Sequence, residues 1–264
     1  MSDYALKLSE SELARYRMMA EMAARMEHDL WTAAGVVDGA AVADVGCGPG
    51  AVSIVLADVV GPAGRVVAVD RGTEAVDAAR AAASDRANVS VQVGDAADTG
   101  ISPGSVDVVM IRHVLAHNGS RVEAIVSHAA SLVRPGGCVY LADVEASSLR
   151  IRPSNADFDD LNARYLRWHA QQGNDLSVGL RLGELLTGAG LVDVEHHGRY
   201  QIFPAPPGLR GPGWAARDAL VAAGLATQDD LDRWDAAFED LDRVEPRPVL
   251  FTPLFFALGR RPAA

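Results

Sequence analysis

Cysteine and positive charge are both scarce in this chain, and each shortage excludes a class of protein. Cys47 and Cys138 are the two cysteines among 264 residues, and each lies in or beside a predicted strand, where a small apolar side chain packs easily. We therefore expect no disulfide framework and no zinc site. The formal net charge of -11 argues against a nucleic-acid partner, because phosphate binding depends on a concentration of Lys and Arg.

Long apolar runs are missing as well. The longest, around VSIVLADVVG, is interrupted by Asp58 and is much shorter than the roughly 20 residues that cross a bilayer. The N-terminal stretch MSDYALKLSESE has no apolar segment behind positive charges, so we expect no export signal, no membrane partner and a cytoplasmic protein. With 49% hydrophobic residues, the chain has enough apolar side chains for a full core.

An amphipathic helix is predicted near the N-terminus. Ser9 and Glu12 fit a capping box, in which each residue satisfies a backbone N–H of the other. Apolar residues then recur at spacings of three and four, which is the helical period: Leu13, Tyr16, Ala20, Ala23, Met26 and Leu30. We expect residues 1–39 to form a helical lid outside the sheet.

From residue 40 the pattern changes to short β-branched runs that alternate with helical stretches. The strand-like runs are AAVADV, RVVAVD, NVSVQVG, VDVVMI and GCVYLADV. Four such alternations imply parallel strands joined by crossover helices. The predicted fold class is therefore α/β, with a doubly wound, Rossmann-like sheet whose core spans residues 40–145.

Two segments interrupt this alternation. Residues 146–176 are polar and aromatic, which favours a lid insertion over the edge of the sheet. Residues 177–264 return to the sheet with LVDVEHH and PVLFTPLFFALGR, but they include a helical insertion at about 204–246. Aromatic residues of the predicted lid segments either line an apolar pocket or pack in a core: Trp31, Phe158, Tyr165, Trp168, Phe203 and Trp214.

A glycine-rich stretch, Gly46-Cys47-Gly48-Pro49-Gly50, follows the first predicted strand and begins a helix. Such a turn lets a ligand approach the backbone, and the N–H groups at the helix N-terminus favour a carboxylate or a phosphate. Asp70 ends the next strand twenty residues later, where a carboxylate can accept both hydroxyls of a ribose. Asp95 follows the third strand, at the same edge of the sheet, and can accept from an adenine amine.

The same glycines leave a second interpretation open. Gly46, Gly48 and Ala51 satisfy the dinucleotide spacing G-x-G-x-x-G/A, which is typical of NAD-dependent oxidoreductases. A third possibility is a protein that binds an adenosine cofactor without transferring any group from it.

Taken in order, VADVGCGPG, VVAVD, VGDAAD, VDVVMIRHVLAH and LVRPGGCVYLADV resemble the class I S-adenosylmethionine-dependent methyltransferases. The resemblance is to the methyltransferase-11-like branch, which includes quinone-pathway C-methyltransferases and many natural-product enzymes, and it covers about residues 40 to 145. It implies a seven-stranded sheet in which VLFTPLFFALGR returns antiparallel beside LVDVEHH. Simple Rossmann dehydrogenases lack that reversed strand.

The resemblance implies S-adenosylmethionine as the cofactor and S-adenosylhomocysteine as its product. It places Gly46, Gly48 and Gly50 against the amino-acid and ribose portion, Asp70 on the ribose hydroxyls and Asp95 on the adenine amine. The remaining residues of the implied cofactor site are Arg15, Asp44, Arg71, Ala96, Arg112 and His113.

Two of these residues have open alternatives. Asp44 either helps to organise the loop near the methionine ammonium or is a structural turn carboxylate. Arg15 lies in a segment similar to a lid helix with the pattern E-x-x-R-L-x-x-Q-A, from which Tyr16 and Met19 depart. It either pairs with the methionine carboxylate or is a solvated helix charge.

Methyl transfer needs alignment of the acceptor and exclusion of water, and it needs a base only when the acceptor must lose a proton. His113 and His117 directly follow the fourth strand, where ligands sit in open α/β sheets, and are the catalytic candidates. His117 is the predicted base, and His113 is more typical of a cofactor contact. Asp143 and Glu145 end the fifth strand and could bind a cationic acceptor or cap the next segment; without a third ligand nearby we assign no metal.

The acceptor is predicted to be a small molecule. The chain has neither the Asn-Pro-Pro-Tyr signature of amino-group methylation nor the Pro-Cys pair of cytosine C5 methylation. We therefore expect an S-adenosylmethionine-dependent methyltransferase of secondary metabolism, acting on an aromatic or polyketide-like acceptor.

Overall fold

The computed structural model describes residues 10–263, and within them a mixed eight-stranded sheet forms the centre of the molecule. The strands are β1 (Ala41–Val45), β2 (Arg65–Asp70), β3 (Val89–Val93), β4 (Val106–Arg112), β5 (Val133–Val144), β6 (Arg150–Arg152), β7 (Val192–Pro204) and β8 (Val249–Arg260). The main strand order is β3-β2-β1-β4-β5-β8, and β7 pairs with the other side of β8. Strands β1 to β5 are parallel, whereas β8 is antiparallel to β5 and β7.

Helices lie on both faces of this sheet and in the two predicted insertions. They are α1 (Glu10–Met26), α2 (His28–Ala34), α3 (Ala51–Val60), α4 (Thr73–Ala82), α5 (Val122–Leu132), α6 (Ala156–Gln171), α7 (Leu182–Gly188), α8 (Pro212–Ala215), α9 (Arg217–Ala222) and α10 (Gln228–Arg243). The predicted α/β class and the antiparallel last strand are confirmed. The strand beyond the predicted seven is β6, a short segment after β5 that pairs with the beginning of β8.

The central strands β1, β4 and β5 are almost entirely buried, as expected for parallel strands covered on both faces. Alternate residues point to opposite faces. Val109 and Leu141 belong to the core under α5 and α7, while Met110 and Tyr140 belong to the core under α2 and α3. The two cores hold the C-terminal ends of the parallel strands at one common edge.

Part of the predicted N-terminal lid belongs to the second of these cores. Leu30, Trp31, Ala34 and Val36 are all buried there, so α2 covers a face of the sheet. The lid boundary at residue 39 stays a prediction. The capping box of Ser9 and Glu12 falls outside the residues whose side chains are described.

The two predicted insertions, 146–176 and about 204–246, share a third core of their own. Its buried members come from β6, α6, α9, α10, the beginning of β8 and the loops after β7 and α9: Ile151, Leu161, Ala205, Leu220, Ala226, Leu231, Trp234, Phe238, Leu241 and Leu250. Arg164 of α6 binds Asp230 of α10 through two hydrogen bonds, of 2.8 and 3.0 Å. We call this helical unit, formed by the two insertions, the lid; it is separate from the predicted N-terminal lid of residues 1–39. Its attachment through β6 and β8 explains why the sheet gains an extra strand there.

Most of the aromatic residues considered for a pocket are core residues. Trp31 lies in the main core, and Phe158, Phe203 and Trp214 pack on the lid core. Within residues 10–263, no helix is long and apolar enough to cross a membrane, and no three His, Cys, Asp or Glu side chains are grouped as metal ligands would be.

Candidate active site

The glycine loop joins β1 to α3 in a conformation that ordinary residues avoid. Gly46, Gly48 and Gly50 have φ angles of +80°, +54° and +81°, all in the left-handed region. A Cβ at Gly46 would overlap the Val114 side chain, and one at Gly50 would lie 2.9 Å from the Ala79 Cβ. A Cβ at Gly48 would have no atom within 4 Å. Gly46 and Gly50 therefore allow close packing, whereas Gly48 borders open space.

Asp70, at the end of β2, is tied to this loop. Its Oδ2 accepts a hydrogen bond from Gly48 N at 2.9 Å, and its Oδ1 accepts one from Gly72 N at 2.8 Å. The carboxylate is half-buried, and each oxygen retains a further acceptor site. The backbone therefore aims both oxygens without saturating them, as recognition of a ribose diol requires.

Asp44 lies behind the loop and is buried. Its Oδ2 accepts a 2.6 Å hydrogen bond from the Ser53 hydroxyl of α3, which joins the end of β1 to the first turn of the helix. Burial raises the pKa of Asp44 to about 6, although Ser53 and Arg112 oppose the rise. The observed contact is the structural one; a contact with the cofactor stays a prediction.

Asp95, the predicted adenine contact, follows β3 and has partners within the protein. Its Oδ1 accepts from Ala97 N at 2.9 Å and also pairs with Arg121. The Arg121 guanidinium holds the pKa of Asp95 below its usual value. Sequence reasoning missed Arg121, which lies in a loop 26 residues away. Contacts of Asp95, Ala96 and Arg71 with a cofactor stay predictions.

Arg112, also predicted to touch the cofactor, binds a buried glutamate. Its Nη2 lies 2.5 Å from Glu27 Oε1, and its Nε donates to Glu27 Oε2 at 3.2 Å. The Tyr140 hydroxyl and the Trp31 indole N–H donate to the same Oε2, at 2.8 and 3.1 Å. Glu27 is 1% exposed. Two nitrogens of the Arg112 guanidinium therefore bind Glu27, and these bonds connect the N-terminal helices to the end of β4.

Arg15, the predicted partner of the methionine carboxylate, is exposed on α1. Its guanidinium lies over the Tyr16 ring, 5.1 Å from the centroid, and its Nη1 is 3.5 Å from Met19 Sδ. Tyr16 and Met19 are the two residues that depart from the lid-helix pattern. The role of Arg15 toward the cofactor stays a prediction.

His113 adopts a left-handed φ of +55°, which is uncommon for a residue with a side chain. Its N–H donates to Ala142 O at 2.9 Å, so the turn after β4 is held against β5. Burial lowers the pKa of His113 to about 3, with a further contribution from Arg112. The imidazole is neutral at neutral pH, which suits a packing or hydrogen-bonding role.

His117 ends a 3₁₀ turn, Leu115–His117, so His113 and His117 do not share the face of one helix. Its ring lies beside that of His169, with 5.3 Å between the centroids. His169, Tyr165 and Trp168 come from α6, and the latter two rings meet His169 edge-on at 4.5 and 4.8 Å. Sequence reasoning did not single out His169. Nothing in the sequence signalled that His169 would meet His117.

Asp143 and Glu145 both cap neighbouring backbone. Asp143 accepts from Ala116 N at 3.1 Å and from Val144 N at 2.9 Å, and burial raises its pKa to about 6. Glu145 Oε1 accepts from Ser147 N at 3.0 Å. Glu145 Oε2 is buried, and no residue in the described part of the chain is hydrogen-bonded to it.

Known proteins with similar sequences and folds agree with this arrangement. A family model described as "Methyltransferase domain" matches residues 42–137. Nocamycin O-methyltransferase of Saccharothrix syringae is 41% identical over 110 residues, which cover 40% of this chain and 39% of that protein. Demethylmenaquinone methyltransferase of Lactococcus lactis is 26% identical over 200 residues, 69% of this chain and 79% of that one.

Among solved structures, a putative methyltransferase of Bacillus halodurans has the same fold, with a TM-score of 0.57 at 20% identity. The structural match covers 89% of this chain and 98% of the Bacillus halodurans chain. The chain spans 34% and 39% of the length of the first two curated relatives that it matches. Residues 42–137 therefore match a methyltransferase domain, and the described chain has the fold of a solved methyltransferase.

Proposed function

We propose that this protein transfers a methyl group from S-adenosylmethionine to a small molecule of secondary metabolism. The observation that carries the proposal is the alignment of Asp70 by the glycine loop, because both carboxylate oxygens are fixed by backbone N–H groups and both remain able to accept. The likeness to nocamycin O-methyltransferase over 110 residues supports a small acceptor. The cytoplasmic location and the absence of a nucleic-acid partner stay predictions from composition.

The residues present fit the cofactor. Gly48 leaves space beside the backbone, Asp70 would hold the ribose hydroxyls, and Asp95 would hold the adenine amine. When bound, S-adenosylmethionine supplies a methyl group activated by a sulfonium. The protein therefore needs no covalent residue, and its task is to hold the acceptor in line and to exclude water.

On the acceptor side, His117 is the proposed base when the acceptor is a hydroxyl or a similarly weak acid. Burial lowers the pKa of His117, and the positive charge of Arg71 lowers it further. The imidazole is therefore neutral and able to accept a proton at neutral pH. The rate should rise with pH through a value below the ordinary histidine pKa of about 6.5, lower than the sequence alone predicts.

The oxidoreductase alternative is weakened by β8, the reversed strand that simple Rossmann dehydrogenases lack. Calorimetry with S-adenosylhomocysteine and with NADH tests the two cofactors directly. Asp70→Ala should raise the Kd for S-adenosylhomocysteine about tenfold or more, because a hydrogen bond to a charged group contributes about 1.5–3 kcal/mol. Asp70→Asn should be intermediate.

Asp77→Ala is the matched control, since Asp77 is an exposed carboxylate on α4 whose ion pair with Arg80 is also exposed. It should bind S-adenosylhomocysteine as the parent does. A folded Asp70→Ala protein with the parent's affinity, or a parent that binds NADH and not S-adenosylhomocysteine, would refute the assignment. Incubation with labelled cofactor and candidate small molecules then separates transfer from binding alone.

A further inference from the structure

The C-terminal turn of α6 carries a histidine into the candidate active site. His169 is 6% exposed and lies between the rings of Tyr165 and Trp168 on its own helix and the ring of His117 on the turn after β4. The lid therefore contributes a polar aromatic side chain next to the proposed base.

A short segment, residues 173–177, holds the lid helix against this turn; we call it the strap. The carbonyl of Gly173 lies so close to Gly119 that any Cβ at position 119 would overlap it. Asp175 N donates to Ala116 O at 3.0 Å, one residue before His117. These contacts fix the distance between the two histidine rings.

The strap also contacts the turn after β5. Leu176 O accepts from Ala146 N at 2.8 Å, and the Ser177 hydroxyl donates to Glu145 Oε1 at 3.1 Å. The lid helix is thus fixed at its C-terminus to the ends of both β4 and β5.

Asn174, within the strap, fixes the imidazole of His169. Its side-chain Nδ2 lies 3.1 Å from His169 Nδ1. An amide nitrogen donates and does not accept, so in this orientation of the Asn174 amide the contact assigns the acceptor role to Nδ1 and the proton of the neutral ring to Nε2. The backbone N–H of Asn174 also donates to His169 O at 3.0 Å, which holds the amide in place.

The charge of His117 affects the titration of His169. Burial lowers the pKa of His169 to about 4, and the charge of His117 contributes to that shift. His117 in turn faces Arg71 and lies near His113, and both His113 and His169 are neutral at neutral pH. The pair therefore carries at most one positive charge under ordinary conditions.

We propose that His169 is a positioning residue of the active site, held by Asn174 in the tautomer protonated on Nε2, which orients the His117 ring for proton transfer. In that step the acceptor's O–H bond breaks, an N–H bond forms on His117, and the electron pair stays on the acceptor oxygen; His117 later releases the proton to water. The catalytic consequence rests on the proposed function, whereas the tautomer and the coupling do not.

Ring ¹⁵N chemical shifts of the full chain test the tautomer. The chain has seven histidines, so His117→Gln and His169→Gln variants assign the two signals. His169 should be protonated on Nε2 in the parent. In Asn174→Asp, the carboxylate can only accept, so the proton should move to Nδ1 and the pKa of His169 should rise. A parent protonated on Nδ1 would overturn the proposal.

Asn155→Asp is the matched control. Asn155 caps the other end of α6 by accepting from Asp157 N and Phe158 N, and an aspartate can do the same. This variant adds the same charge at the opposite end of α6 and should leave the His169 tautomer unchanged.

The coupling should be asymmetric in a pH titration. His117→Gln should raise the pKa of His169, because the nearby positive charge is lost. His169→Gln should change the first titration of His117 little through charge, because His169 is still neutral at that pH. An unchanged His169 titration in His117→Gln would show that the rings are independent, and it would overturn the proposal.

Turnover tests the catalytic consequence. His169→Phe keeps an aromatic ring and loses both nitrogens, and we expect kcat to fall about 10- to 100-fold while the Kd for S-adenosylhomocysteine stays within about twofold. Asn174→Asp provides a second variant if His169→Phe does not fold. An unchanged kcat in both variants would overturn the positioning role. A parent that transfers no methyl group would instead refute the proposed function, and the tautomer measurement would still decide the inference.

Discussion

The two sides of the candidate active site are built in different ways. The cofactor side consists of backbone N–H groups and carboxylates from successive strand-helix units, with Asp70 tied to Gly48 of the loop. The acceptor side consists of neutral imidazoles and aromatic rings from two separate segments, the turn after β4 and helix α6, which the strap holds together. The residues of the cofactor side thus follow from local sequence patterns, whereas the residues of the acceptor side meet only when distant segments pack together.

A buried charge network behind the cofactor side should give the largest effect. Glu27→Ala would leave Arg112 buried without its carboxylate and would remove the acceptor for Tyr140 and Trp31. Breaking a buried pair in this way costs about 3–5 kcal/mol. We expect that loss in the free energy of unfolding, measured by denaturant titration.

Glu123→Ala is the comparison variant, since Glu123 pairs with Arg181 at 3.2 Å and both side chains are largely exposed. An exposed pair contributes about 0–1 kcal/mol. Equal losses in the two variants would contradict a special role for the network that supports the end of β4.

The pH dependence of stability sharpens the comparison, because the cofactor side contains a carboxylate that resists ionisation. Asp44 has a pKa of about 6 in the folded protein, raised from an ordinary 3.8. Its contribution to stability is therefore fully present below pH 3.8 and is lost as the pH rises to about 6. The loss above pH 6 is about 3 kcal/mol.

Asp44→Asn stays neutral at every pH and should escape this loss. The stability of the variant relative to the parent should increase by up to about 3 kcal/mol between pH 4 and pH 8. Unfolding curves at the two pH values measure the difference, and Asp77→Asn reports the effect of removing an exposed charge. A relative stability of Asp44→Asn that does not change with pH would contradict the buried, protonated carboxylate.

The smallest expected effect on folding concerns Gly48, the glycine that borders open space. Gly48→Ala should lose about 1–2 kcal/mol, the cost of a left-handed residue with a Cβ. Gly136→Ala should lose a similar amount, because Gly136 has a φ of +78° and also has no atom within 4 Å of a Cβ. Only Gly48→Ala should weaken binding of S-adenosylhomocysteine. Equal affinities of the two variants, measured by calorimetry, would place the cofactor elsewhere.

The fold and the positions of the glycine turn and of Asp70 at the end of β2 were largely predictable. The β-branched runs and their alternation with helices gave the α/β class, because the periods of strands and helices are visible in neighbouring residues. The right-handed crossover between parallel strands is a general rule. Asp70 was placed at the end of β2 by the same pattern. The glycine turn between β1 and α3 was predicted correctly, whereas its contact with the cofactor stays a prediction. The pattern did not distinguish Gly48, beside open space, from Gly46 and Gly50, which pack against Val114 and Ala79.

The acceptor side and the buried network were not predictable. Glu27 and Arg112 are separated by 85 positions; sequence reasoning assigned no role to Glu27, and the resemblance assigned Arg112 to the cofactor. His169 belongs to an amphipathic helix, where a histidine on the inner face carries no signal of its partner. Such contacts arise when the cores of distant segments form, so no local period records them.

The amino-acid order alone determines the features that depend on local backbone structure. These are the strands, the left-handed glycine turn and the positions of the carboxylates that follow the strands. The tertiary structure selects among side chains that look alike along the chain, pairing Arg112 with Glu27 and bringing His169 to His117. The physical reason is that backbone geometry depends on neighbouring residues, whereas burial, charge pairing and the pKa of an imidazole depend on every segment that packs around it.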